Sequence, residues 1–323
     1  MERVPGYLCL RIIIVCAMTF AEKEGVCEVA FREYGPYWHL YTDGTAIGNI
    51  FCDEEDFKAG MTLLAVCAVL CTGVMLLTFE LMGNHIHLII CGERADCLRF
   101  FDMYKRKLRR LFIKMGKVVN WERFLPHILP IENLRSLRNE IIYANRNAYV
   151  ASYKYTPFSY PWGGGWAYFS PVINQLPVMS VREVGFNKVR ERTHYRDVEV
   201  LAELKFVGDV PFIPSFCRTD IGEMMFQDAR SYFHLLTRNA EAFSQIASRL
   251  KDTVFLTDDE MFVVAARYAA EMFSAKLSGL TPGQRVEIAR KLHFDYNASN
   301  QQIRRLLKLD ISLLGEMFPE ARL

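Results

Sequence analysis

The sequence predicts an α+β fold: an antiparallel sheet with helices on one face, followed by a mainly α-helical C-terminal region. Three observations carry this. Strand and helix signals alternate as β-α-β-β-α between Tyr37 and Met115. Two strands of that series are joined by a turn at Gly83-Asn84 too short for anything but a hairpin. From Glu223 onward helical periodicity dominates.

Trp38 to Thr42 alternates as a short strand, and Asp43-Gly44 marks the turn after it. Asp53 followed by Asp56 is a helix start, and Phe57 to Cys71 continues as a long apolar helix. Val74 to Leu81 and His85 to Cys91 are the hairpin strands, and a helix follows from about Asp96 to Met115. This order corresponds to a ferredoxin-like unit. A further helix spans about Glu132 to Arg146. Tyr153 to Gly165 (YKYTPFSYPWGGG), rich in aromatics, Pro and Gly, reads as a domain-closing loop. Residues 167–210 look irregular, with a basic run at Lys188, Arg190, Arg192 and Arg196. Helices are then expected over 223–250, 258–277, 282–294 and 299–308. The divisions are an N-terminal segment (1–33), a first domain (34–165), a connecting region (166–255) and a helical domain (256–323).

Half of the 323 residues are hydrophobic (51%), which argues against global disorder. Net charge is only +2, so affinity for a polyanion must come from local patches. Nine cysteines, odd in number and without a C-x-x-C pair, fit reduced thiols in a cytoplasmic protein. Leu8 to Phe20 is apolar but interrupted by Arg11 and too short to span a bilayer, so no membrane partner is expected. The first residues read as an extension before a start at Met18, as an ordinary structured segment, or as a signal or anchor.

The chemistry-bearing stretch is Met82 to Ile90, MGNHIHLII. A strand repeats every two residues, so His85 and His87 share a face, where two imidazoles can hold one divalent cation. The alternative is a pair of histidines hydrogen-bonded at a sheet surface. Tyr104 to Lys117 (YKRKLRRLFIKMGK) carries seven Lys or Arg and no acid. Tyr104, Leu108, Leu111, Phe112 and Met115 form its buried stripe, leaving Lys105, Arg106, Lys107, Arg109, Arg110 and Lys114 on the surface. Solvated faces usually mix signs, whereas a run of like charge suits phosphate binding. Near the end, PGQRVEIARKLHFDYNASNQQIRRLLKLD has the pattern of a helix-turn-helix. Val286, Ile288, Ala289, Leu292, Ile303, Leu306 and Leu307 supply its core, and Gln301, Gln302, Arg304 and Arg305 lie on the second helix, where they could reach base edges. An ordinary helical hairpin is the alternative.

With these residues in place, 34–165 resembles the single-strand DNA transposases of the HUH tyrosine class, including the REP-associated relatives. Asn84-His85-Ile86-His87 matches that family's histidine strand, YWHLYTDGTAIGNIF its first strand, and Thr156-Pro157-Phe158-Ser159-Tyr160-Pro161-Trp162 its closing loop. The resemblance implies a cation, Mg²⁺ or Mn²⁺, on His85 and His87 with Asn145 or Glu140 as third ligand. It also implies a tyrosine nucleophile on the Leu134–Asn147 helix, strand cutting and rejoining through a 5′-phosphotyrosine, and action as a homodimer on single-stranded or hairpin DNA. The family places an Asn or Gln four residues after its tyrosine. Taking Asn145 as that partner leaves Ile141 at the tyrosine position. Tyr143, Tyr149 and no active tyrosine therefore all stay open, with Tyr143 preferred. Arg138 or Arg146 would help the phenol ionise, Arg138 would also contact DNA, and Trp121, Trp162 or Trp166 could stack on bases. A cleavage-deficient DNA-binding relative is the second reading. An unrelated metal hydrolase drawing on Glu80 and Glu93 is the third.

Overall fold

The computed structural model describes residues 19–44, 49–151, 159–238, 246, 256, 258–296 and 298–318. The expectations for Met18 and the residues before it, for 153–158 and for the Tyr149 side chain lie outside the described residues. The chain divides into two compact units, residues 1–146 with 155–236, and residues 147–154 with 237–323.

In the first unit Thr19 opens α1 (Phe20–Tyr34) with a capping box, its hydroxyl accepting from the Glu22 N–H while the Glu22 carboxylate accepts from the Thr19 N–H. There follow β1 (Tyr37–Thr42), α2 (Glu54–Leu70), β2 (Val74–Leu81), β3 (Ile86–Gly92), α3 (Arg94–Lys114), β4 (Pro126–Ile131) and α4 (Leu134–Ala151). Asp53 caps α2 by accepting from the Asp56 N–H at 2.9 Å. Lys117, just past α3, reaches Asp53 at 2.7 Å and buried Asp56 at 3.0 Å, tying the start of α2 to the end of α3.

The strands order as β2-β3-β1-β4 and every pair is antiparallel. Two β-α-β crossovers around a central hairpin produce this order, the ferredoxin-like arrangement expected from the sequence. Strand alternation then divides the side chains. Leu40, Phe79, Leu88 and Ile90 point to one face and pack in a single apolar cluster with Leu63, Leu64, Phe100, Tyr104 and Leu108 of α2 and α3. Each is completely buried or nearly so, worth about 1.5–3 kcal/mol per side chain. The opposite face carries Tyr37, His39 and Tyr41 of β1 with His87 and Ile89 of β3, and it is covered too. Phe31 of α1 stacks on Tyr37 (centroids 5.0 Å), and α4 brings Glu140 and Tyr143 onto His39.

Residues 166–236 belong to this first unit, so the boundary expected at 165/166 falls inside it. Ala167, Val181, Val189, Leu201, Phe206 and Ile213 join the α2–α3 cluster. The stretch expected to be irregular holds β5 (Val178–Ser180), α5 (Val181–Val184), α6 (Phe186–Thr193), β6 (Lys205–Val207) and β7 (Val210–Pro211), with β5, β6 and β7 paired antiparallel. Strands of two or three residues are too short for a period to register in sequence. Next come α7 (Thr219–Met224) and α8 (Ala229–Arg238). The helix expected from 223 is broken, because Asp228 starts a new one by accepting from the Ser231 N–H at 2.8 Å. Met115, assigned to the buried stripe of α3, is 38% exposed, since α3 ends at Lys114 and the chain turns at Gly116.

The second unit holds α9 (Asp258–Phe273), α10 (Pro282–Tyr296), α11 (Asn300–Leu307) and α12 (Ile311–Met317). Its core contains Ile288, Ala289, Leu292, Ile303 and Leu307, with Leu306 packed against them, the apolar residues that both the helix-turn-helix and the hairpin readings assign to it. Val286 is only half-buried. Ser299 and Gln302 form a capping box at the start of α11. No helix among the described residues is long and apolar enough to cross a membrane, and the seven described cysteines are unbridged.

Candidate metal and nucleic-acid site

Cross-strand register builds the site. Glu80 on β2, His87 on β3, Tyr41 on β1 and His127 on β4 form one row across the sheet. The adjacent row places Thr78, Ile89, His39 and Leu129 side by side. All these side chains share the face that α4 covers. His85 precedes β3 in the hairpin turn, where its carbonyl accepts from the Met82 N–H at 2.8 Å.

The rings of His85 and His87 meet edge to face, with centroids 4.8 Å apart. The sequence therefore brings together the two imidazoles it was expected to bring together. Each is also held by a hydrogen bond through Nδ1. His85 Nδ1 lies 2.7 Å from Asn84 Oδ1, and Asn84 Nδ2 donates to the Gly44 carbonyl at 3.0 Å. His87 Nδ1 lies 3.0 Å from Nε2 of His39, whose own Nδ1 lies 2.7 Å from the Glu140 carboxylate. Gly44 leaves room for both side chains: a Cβ there would stand 2.8 Å from His85 Nδ1 and 2.9 Å from Asn84 Nδ2, so one or both would have to shift.

Tyr143 joins this cluster. Its ring centroid is 5.6 Å from that of His87 and 6.2 Å from that of His39. Glu140 and Tyr143, three residues apart, share a face of α4, which explains how one helix delivers both. The cluster is enclosed: His87 is 0%, Tyr143 3% and His85 5% exposed.

Asn145 is directed elsewhere. Its Oδ1 accepts from the Thr78 hydroxyl and its Nδ2 donates to the Tyr232 hydroxyl at 3.0 Å, fastening α4 to β2 and α8. The tyrosine-plus-four spacing that the resemblance calls for is met instead by Tyr143 and Asn147, about 40° apart around an ideal helix. Asn147 is buried. That pair is legible in the sequence, but anchoring the spacing on Asn145 hides it. His39 is the other residue missed. The signal was its alternation with Tyr41 in a buried strand, an imidazole where an apolar residue is ordinary.

Arg138 is committed to a bidentate pair with Glu24 (2.8 and 2.9 Å) and to the Met225 carbonyl. It lines an open pocket of about 420 Å³ with Phe226, Arg230 and His234. Arg146 is buried on α4. Trp121 and Trp162 belong to the α2–α3 core, packed against Phe112 and Phe57. Trp166 is half-buried.

The cations of α3 lie on the far side of the sheet. Tyr104, Leu108, Leu111 and Phe112 pack on the face opposite the histidines, so the basic stripe of α3 points outward on that opposite side. Lys117 is taken by Asp53 and Asp56, and Lys107 sits over the Tyr195 ring at 4.6 Å. Among the described residues no carboxylate lies within ion-pair distance of Lys105, Arg106, Arg109, Arg110 or Lys114. Their positive field is felt locally: the His194 imidazole is held below its ordinary range by burial and then by Lys114. Lys105 is lowered by burial, with Asp102 opposing and Arg109 adding to the shift.

In the second unit Gln302 donates to the Leu256 carbonyl at 2.9 Å, and Arg305 forms a fork with Asp258 (2.6 and 3.0 Å). Arg304 is exposed on α11. Among the described residues no three His, Cys, Asp or Glu side chains converge to hold a metal ion. No protein-family model, curated protein or solved structure matches the chain.

Proposed function

We propose that this chain is a DNA transposase of the HUH tyrosine class, cutting and rejoining single-stranded DNA through a 5′-phosphotyrosine. The observation that carries the reading is the ring contact of Tyr143 with His87 on a sheet face that also holds His85 and His39. A phenol and imidazoles are thus gathered from α4 and β3, Tyr143 and His87 being 56 residues apart in sequence, and these are side chains suited to act as nucleophile and metal ligands. His85 and His87 would hold Mg²⁺ or Mn²⁺, with substrate or water oxygens completing the set. Such a cation, when bound, polarises a non-bridging phosphate oxygen.

Tyr143 would attack phosphorus through its phenol oxygen. The new O–P bond forms as the bond to the 3′ oxygen breaks, and the proton lost by the phenol is balanced by the one the 3′ oxygen gains. Attack by another 3′-OH reverses the step, so bond energy is conserved and no nucleotide hydrolysis is needed. The α3 stripe offers a separate electrostatic surface, reached by a strand that passes round the sheet edge, and Arg304 of α11 offers another in the second unit. Family resemblance adds a homodimer and a cytoplasmic setting to the proposal.

The burial of Tyr143 and His87 favours a second reading, a transposase-derived DNA-binding protein that no longer cleaves. One experiment separates them. Hairpin-bearing single-stranded DNA, labelled at its 3′ end, is incubated with the full chain and Mn²⁺, then denatured. A covalent protein–DNA adduct that disappears in Tyr143→Phe supports the enzyme. An adduct that persists in Tyr143→Phe removes Tyr143 from the role. Retarded mobility with no adduct supports the binder.

A further inference from the structure

The carboxylate of Glu140, the ring of His39 and the ring of His87 form a continuous buried chain, at 1%, 0% and 0% exposure. Its two links are 2.7 and 3.0 Å. A carboxylate only accepts hydrogen bonds, so His39 donates to it through Nδ1. When His39 is neutral its Nε2 is an acceptor, and the hydrogen shared with His87 comes from His87 Nδ1; a protonated His39 would donate through Nε2 and reverse that link. The neutral state leaves the lone pair of His87 on Nε2. An independent chain gives the same result next door. Asn84 is oriented by its Nδ2 donation to the Gly44 carbonyl, which turns Oδ1 toward His85 and makes His85 Nδ1 the donor.

We propose that Glu140 and His39 are a positioning pair that fixes the Nδ1–H tautomer of His87, as Asn84 does for His85, so that both rings present Nε2 as a ligand. Neither His39 nor Glu140 touches the reacting atoms. They act through His87, in the manner by which outer groups orient the histidines of metal sites. The consequence for metal affinity rests on the reading of His85 and His87 as ligands; the tautomer itself does not. The sheet supplies the rigidity: His39 and His87 sit diagonally in neighbouring same-face rows, His39 opposite Ile89 and His87 opposite Tyr41.

Long-range proton–nitrogen correlation spectra of the ¹⁵N-labelled full chain read each imidazole tautomer directly, without metal or DNA. The wild type is expected to show His87 and His85 protonated at Nδ1. His39→Phe and Glu140→Leu are expected to move the His87 proton toward Nε2 while His85 stays unchanged as an internal reference. Glu140→Gln, whose amide oxygen still accepts, retains the wild-type tautomer. Mn²⁺ affinity, followed by the paramagnetic resonance of the free ion, should fall about 10–100-fold in the first two variants. Glu140→Leu replaces a buried charge by an apolar group of similar size and keeps the test valid should His39→Phe not fold. A wild-type His87 with its proton on Nε2 overturns the inference. So does a His87 tautomer that is the same in wild type, His39→Phe and Glu140→Leu. A chain with the expected tautomers that binds no Mn²⁺ supports the positioning pair and overturns the ligand reading instead.

Discussion

Replacing Arg109, Arg110 and Lys114 of α3 by alanine is expected to weaken DNA binding in a way that depends on salt. Five cations on this helix, at positions 105, 106, 109, 110 and 114, have no carboxylate in ion-pair range among the described residues. If each meets one phosphate of a single strand, log K falls against log salt with a slope of about −3.5, roughly −0.7 per phosphate. Removing three leaves a slope of about −1.4. Between 50 and 200 mM salt the wild type should then lose ~100-fold in affinity and the triple variant ~7-fold. Fluorescence anisotropy of a labelled single strand at four salt concentrations measures both slopes. The three side chains are exposed, so the melting temperature should barely move, which separates lost charge from lost fold. Because α3 lies across the sheet from the histidines, Mn²⁺ binding should also be unchanged. An identical slope in wild type and triple variant would refute phosphate contact by this helix. So would a wild-type slope near zero.

Two further outcomes are expected. Glu223 is pushed up to about 7 by burial, despite the Phe169 N–H that it accepts at 2.5 Å. Its neutral form is favoured in the folded chain, so its contribution to stability is fully present below the ordinary carboxylate value near 4.5 and is lost as pH rises through about 7. Glu223→Gln keeps the acceptor without the charge and should stabilise the chain above pH 7 by about 2–3 kcal/mol, measured by urea unfolding from pH 4 to 8; a stability curve that rises between pH 5 and 8 only in the wild type would contradict this. Gly44→Ala should displace Asn84 and His85, cutting Mn²⁺ affinity by about tenfold with little change in melting temperature. Unchanged affinity would mean that the hairpin accommodates the added methyl.

Much of the fold was legible because its signals are local. The Gly83-Asn84 turn and the alternation on both sides specify the hairpin, and apolar periodicity specifies α2 and α3. The His85–His87 pair was legible from the same alternation, although β3 begins only at Ile86 and His85 is brought to His87 from the turn. His39 was harder. Its face follows from β1, but its neighbour follows from the pairing of β1 with β3, residues 48 apart in sequence. Asn145 shows the opposite difficulty. Its type and helix suited a ligand, yet Thr78 and Tyr232, 67 and 87 residues away, claim both ends of the amide. Gln302 was likewise read as a reader of bases, but its amide donates to the Leu256 carbonyl, whereas Arg305 pairs with Asp258 and stays exposed.

By itself, the order of residues determined the elements, the face each side chain would take and the paired imidazoles, since backbone period and turn chemistry act over a few neighbours. Only the tertiary structure decided which charges meet a partner, which helix covers which face, and that Glu140 stands behind His39 while α3 carries its cations to the other side. Those outcomes depend on strand register and layer packing, where contacts join positions dozens of residues apart and the energy of closing each loop is shared by the whole sheet.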